Sequence, residues 1–154
     1  MEHEFYMREA LLEAKKALIK GDVPVGAVIV KDGRIIGRGY NQREADNDPT
    51  AHAEIIALRA AGTALESWRL NGAVLYVTIE PCPMCAGAML MSRIDRVVYG
   101  ADDPKAGTAG SVLNILQFPG FNHYVKITAG VLADECSLLL REFFMSRREA
   151  GQTE

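Results

Sequence analysis

Two short stretches carry side chains that could share one metal ion, Ala51-His52-Ala53-Glu54 and Pro81-Cys82-Pro83-Met84-Cys85. His52 and Glu54 are two apart, so in mid-helix they would point roughly 200° away from each other and could not share a target. At a first turn both can reach forward past the helix end, beside the free backbone N–H groups there. Cys82 and Cys85 are three apart, on one face of a helical turn, where one tetrahedral ion accepts both sulfurs at about 2.3 Å. A helix N-terminus also favours the thiolates that bind metal. One imidazole and two thiolates leave the fourth position of a tetrahedral zinc for water, as in a catalytic rather than a structural site. Two thiolates cancel the charge of Zn²⁺, so the water is acidified less than in an all-histidine site and a base is needed nearby. Glu54 can supply it, taking a proton from water, passing it to a ring nitrogen of an amidine-like substrate and later protonating the departing ammonia.

Each stretch alone has a plainer reading. An isolated His52 would cap a helix or fill a core, and Cys-x-x-Cys at a helix start after a strand also suits a thioredoxin-like redox pair. A redox pair leaves His52 and Glu54 without a task, whereas one ion with its base uses all four residues. A structural ion needs a fourth protein ligand, and His3, His123 and Cys136 lack ligand-like spacing. Cys136 reads as a small buried hydrophobe, His3 as a frayed surface residue, and Met84, Met89 and Met91 as core or interface filler. Trp68 is a single aromatic near a loop, and Asn41 on its own reads as a strand terminator.

The elements that must position these groups follow from periodicity. Met7, Leu11, Ala14 and Leu18 recur at helical spacing between Glu2 and Lys20, ahead of Gly21. Val25 to Val30 and Arg34 to Tyr40 are strand-like, and the Asp32-Gly33 pair between them favours a tight hairpin turn. A polar loop from Asn41 to Asp48 precedes a helix with Asp48 as N-cap and Pro49 as its first residue, running to about Leu65. Val74 to Ile79 is a buried strand that leads through Pro81 to a helix from Cys82 to about Ser92. Arg96 to Tyr99 is a short strand, Ala101 to Gly110 a loop, Val112 to Leu116 a brief helix and Val125 to Thr128 a fifth strand. The last helix, about Asp134 to Arg148, carries Cys136, Leu139, Leu140 and Phe143 on one face. Strands alternating with helices imply an α/β fold, a three-layer α/β/α sandwich whose central five-stranded mixed sheet opens with a hairpin and continues in parallel. Ligands in such sheets collect where helix N-termini meet the carboxyl ends of strands, and both metal stretches fall there.

The 154 residues suit one domain, 1–154, large enough for a core without staples. Seventeen basic against 20 acidic residues give a net charge of −3, so no global field attracts a polyanion and any nucleic-acid contact must be local. The acidic start, Met1-Glu2-His3-Glu4, does not read as a secretory signal, and no apolar stretch approaches the roughly 20 residues of a membrane span. A cytoplasmic protein without membrane contact is expected.

Asp48-Pro49-Thr50-Ala51-His52-Ala53-Glu54-Ile55 and Glu80-Pro81-Cys82-Pro83-Met84-Cys85-Ala86-Gly87-Ala88-Met89 resemble the bacterial tRNA-specific adenosine deaminases of the cytidine deaminase superfamily. The superfamily shares the metal motif. The tRNA branch is indicated by Val23-Pro24-Val25-Gly26-Ala27-Val28, Ser92-Arg93-Ile94, Lys105-Ala106-Gly107 and Gly130 to Cys136. The resemblance implies a cytidine deaminase-like fold, one Zn²⁺ per subunit on His52, Cys82 and Cys85, and Glu54 as proton donor and acceptor. It implies as substrate the wobble adenosine, anticodon position 34, of an arginine tRNA, hydrolysed to inosine with release of ammonia. The same metal motif would also serve a deaminase of a free base or nucleoside, guanine or cytidine. By the same resemblance Asn41 contacts the nucleoside, Asp103 and Lys105 lie on a substrate-side loop, and Phe144, Arg147 and Arg148 lie near the anticodon stem-loop. Tyr124 and Met145 stand where members often carry basic residues. Members are homodimers, and the Met84 to Met91 helix could contribute to such an interface.

Overall fold

The computed structural model describes residues 2–151, so Met1 and residues 152–154, the ends of the expected domain, lie outside the described residues. Its elements are α1 (Glu2–Ile19), β1 (Gly26–Lys31), β2 (Arg34–Tyr40), α2 (Arg43–Asp46), α3 (Ala53–Leu65), β3 (Val74–Ile79), α4 (Pro83–Met91), β4 (Arg96–Ala101), β5 (Lys126–Thr128) and α5 (Ala133–Glu149). The strands form one sheet in the order β2-β1-β3-β4-β5. β1 pairs antiparallel with β2 and β3, whereas β3–β4 and β4–β5 are parallel.

Period-two alternation sends Ala27, Ile29, Leu75, Val77, Val97 and Tyr99 into one core and Val28, Val30, Tyr76 and Val98 into another. The first lies under α3 and α4, the second under α1 and α5, which gives the three-layer α/β/α sandwich. The hairpin turns at Asp32 and Gly33, with φ of 52° and 75°, the paired positive values an Asp-Gly turn supplies.

Helix α3 lies unusually close to β2. Its stripe of Ala53, Ala57 and Ala61 is fully buried, and a methyl added at Gly39 would run into the backbone of Ala53 and Ala57. Small residues on both sides set the height of the N-terminus of α3 above the sheet. Gly39→Ala is therefore expected to destabilise the protein by about 1–3 kcal/mol, measured by chemical denaturation, because backbone cannot yield as a flexible side chain can.

Four local expectations change. The third helix begins at Ala53 with His52 as N-cap, not at Pro49. Asp48 is engaged instead by Thr50, whose N–H and hydroxyl donate to its Oδ1 at 2.8 and 2.7 Å, closing a turn before the helix. The polar loop after β2 contains the one-turn helix α2. Residues 112–116 are not helical, since Asn114 bridges back to Ala109 and the segment is held by turns. His3 is half-buried rather than frayed, sharing a 2.8 Å hydrogen bond with the Tyr76 hydroxyl.

Candidate metal centre

His52 and Cys82 occupy equivalent places, each the extended N-cap residue of a helix, with φ/ψ of −79/152° and −81/174°. Neither side chain bonds the free N–H groups that an N-cap ordinarily satisfies. Both point instead into the space between the helix ends. Cys85 sits one turn into α4 and Glu54 at the second position of α3. Pro83 opens α4, where its missing N–H costs nothing. β3 delivers the chain to this point, and the Glu80 N–H donates to Ala101 O at 2.8 Å, joining the carboxyl ends of β3 and β4.

His52 Nδ1 lies 3.6 Å from each of the Cys82 and Cys85 sulfurs. A tetrahedral zinc with the usual Zn–N and Zn–S lengths would hold such atoms about 3.6 Å apart. All three ligand atoms fall within 4.8 Å of one another. The donor set and spacing therefore fit one zinc ion. Cys85 is fully buried, whereas His52 and Cys82 are partly open to the cleft in front of them.

Without a cation the two sulfurs compete for protons. The Cys85 thiol beside Cys82 lowers the latter to about 4, with His52 adding to the effect, and the same contact together with burial pushes Cys85 far up. A divalent ion removes that competition, because a coordinating thiol is deprotonated outright. The hydrogen bond to Cys82 raises His52. Burial pushes the Glu54 carboxyl, 3% exposed, up to about 7, a value that suits a group that must take and return protons near neutral pH.

The cleft has a volume of about 200 Å³ and is walled by Val23, Asn41, Arg43, Glu80 and Asp103 above His52, Glu54 and Cys82. That is below the roughly 300–1,000 Å³ of pockets for drug-sized ligands, and suits a single flat ring. Asn41 is buried beyond the end of β2, its amide donating to Val23 O and its Oδ1 accepting from the Arg43 N–H, both at 3.4 Å. Asp103 is half-buried and its Oδ1 accepts the N–H groups of Lys105 and Ala106 at 3.1 and 3.2 Å, while Lys105 projects into solvent. Sequence reasoning passed over Arg43, an exposed cation with no carboxylate partner among the described residues, and Glu80. Arg43 was hidden in a segment read as loop, and Glu80 beside the Pro81-Cys82 motif it precedes.

Phe144, Arg147 and Arg148 lie on the last turns of α5 and do not line the cleft. Arg147 joins them to its rim, donating to Gly21 O at 2.6 Å, two residues before Val23, and stacking 4.8 Å from the Phe143 ring. Asp22 is buried and accepts the N–H groups of Val23 and Glu44, tying that rim to α2. Tyr124 and Met145 are both more than half exposed, so no packing requirement determines their type.

Residues 1–101 match the cytidine and deoxycytidylate deaminase zinc-binding region. The chain is 52% identical over 146 residues to a tRNA-specific adenosine deaminase of Bacillus subtilis, spanning 95% of this chain and 91% of that protein. It superposes, with a TM-score of 0.85 and 45% identity over 88% of this chain and 99% of the other, on a structure from studies of A-to-I editing by tRNA deaminases at the wobble position of transfer RNA. A guanine deaminase from Nitrosomonas europaea is similar at a TM-score of 0.75 and 25% identity, over 91% of this chain and 83% of the other.

Proposed function

The chain belongs to the cytidine and deoxycytidylate deaminase family, among its tRNA-specific adenosine deaminases, and from that premise we propose that it hydrolyses the wobble adenosine of an arginine tRNA to inosine in the cytoplasm. The observation that carries this reading is the joining of three zinc ligands and a buried carboxylate at the floor of a cleft sized for one base, with an unpaired guanidinium at its mouth.

His52, Cys82 and Cys85 would hold a zinc ion, which would supply a Lewis acid to make water nucleophilic near neutral pH. Glu54 accepts a proton from that water and delivers it to a ring nitrogen, which makes the adjacent amino-bearing carbon electrophilic. Once the water oxygen has bonded to that carbon, Glu54 takes the second proton from the added hydroxyl and gives it to the amino group as the C–N bond breaks, so water oxygen replaces nitrogen and one ammonia leaves. Asn41, buried in the cleft wall, offers an amide to the nucleoside. A neutral adenine needs no cation, but the phosphates beside it do, and Arg43, Lys105, Arg147 and Arg148 give local positive charge to a chain whose net charge is −3. Phe144 adds an aromatic surface for loop bases. An anticodon loop suits the cleft, because an unpaired base can be splayed into it at little cost.

An anticodon stem-loop, guanine and cytidine assayed side by side test the reading. Inosine and ammonia from the stem-loop alone are expected, and turnover of guanine or cytidine with none on the stem-loop would overturn it.

We also propose a homodimer. α3 and α4 leave an apolar groove of Ile55, Leu58, Trp68, Leu70, Ala88 and Met91 on their outer side, with Trp68 and Met91 61% and 72% exposed. A second copy would cover it. Met91→Glu is expected to shift the protein from dimer to monomer in sedimentation velocity at micromolar concentration. No helix among the described residues is long and apolar enough to cross a membrane.

A further inference from the structure

Between β4 and Ser111 the chain has almost no regular structure, yet this segment places Asp103 in the cleft wall, with Lys105 in solvent two residues on. One buried side chain grips it at three residues. Glu80 is 1% exposed, and its carboxylate accepts the Asp103 N–H at 3.0 Å, the Ala109 N–H at 2.9 Å, the Ser111 N–H at 3.0 Å and the Ser111 hydroxyl. Gly107 lies against the same carboxylate so closely that any Cβ there would overlap it. Thr108 completes the seam, its N–H and hydroxyl donating to Pro81 O at 3.0 and 2.8 Å.

Four donors saturate both oxygens, so Glu80 has no acceptor capacity left for a substrate proton. Its neighbours along the chain are Pro81 and Cys82, so the residue that fixes the wall is also fixed to the metal ligands. We propose that Glu80 is a positioning residue for substrate, holding residues 103–111 in the one register at which Asp103 faces the nucleotide seated over His52 and Glu54. The inference rests on the tRNA-deaminase reading for the identity of that nucleotide. A neutral amide at 80 would lose one acceptor and aim an NH₂ at backbone N–H donors, loosening the wall while leaving the zinc ligands in place.

The test compares wild type with Glu80→Gln, Glu80→Asp and Ser111→Ala by zinc content, kcat and KM on the stem-loop, and amide hydrogen exchange. Glu80→Gln is expected to keep one zinc per chain, to raise KM about ten- to hundredfold with a smaller change in kcat, and to speed exchange across residues 103–111 but not in β3. Glu80→Asp, which keeps the charge, should recover part of the KM. Ser111→Ala removes one neutral donor, should raise KM about fivefold, and decides the matter if Glu80→Gln does not fold. KM within twofold of wild type in Glu80→Gln and Ser111→Ala would overturn the proposal, as would loss of zinc from Glu80→Gln, which would make Glu80 a support of Cys82 instead. A wild-type protein inactive on the stem-loop would overturn the substrate reading, and the exchange of residues 103–111 then decides Glu80 independently.

Discussion

Glu54→Gln is expected to lower kcat on an anticodon stem-loop by about 10²–10⁴-fold while zinc stays near one per chain and stem-loop affinity stays close to wild type. The side chain is nearly enclosed, keeps its length and volume in the amide, and belongs to none of the three ligand positions, so neither packing nor metal should suffer. The amide cannot take a proton from water or return one to a leaving amine. The loss therefore appears in kcat, with kcat/KM falling in parallel, as for an interaction made only in the transition state. Turnover within tenfold of wild type would remove Glu54 from the proton path.

Cys85→Ala should abolish zinc binding and, with it, activity by at least about 10³-fold, since a Lewis acid contributes several kcal/mol of transition-state stabilisation. Two thiolates neutralise the ion in a buried place. With one gone, a net positive charge would have to be held by an imidazole and a single sulfur below a largely apolar sheet face. The structural cost of losing one buried sulfur is small by comparison, roughly 1 kcal/mol, so the fold should survive. Cys136→Ala is the matched control: that thiol is equally buried, lies against Gly100 in the opposite core, and should leave zinc and turnover unchanged. Zinc retained at one per chain in Cys85→Ala would exclude Cys85 as a ligand.

The strands, the hairpin and the long helices were legible because each writes its burial into a period of two or 3.6 residues, as in Ala27 to Val30 or Met7 to Ala14. The start of α3 was misplaced because Asp48 has the chemistry of an N-cap, yet its carboxylate is bound by Thr50 two residues on. Residues 112–116 have the apolar content of a helix, but their geometry is set by the contact of Asn114 with Ala109 and by Ser111 on Glu80. Arg43 escaped notice because nothing in its immediate neighbourhood distinguishes a solvated arginine from one at the mouth of a cleft.

The two short stretches at 52–54 and 82–85 determined by themselves which atoms could hold an ion and which carboxylate stood beside them, since spacing on a first helical turn is a local property. The meeting of the stretches was a tertiary matter. His52 and Cys82 lie thirty residues apart, and they face one another only because α3 is lowered onto Gly37 and Gly39 of β2 while α4 crosses the same sheet face between β3 and β4. The wall over the ion was decided in the same way. Glu80 is one carboxylate among the chain's 20 acidic residues until packing removes it from water, and a buried carboxylate must then gather whatever donors the chain can bring, here the backbone of residues 103–111.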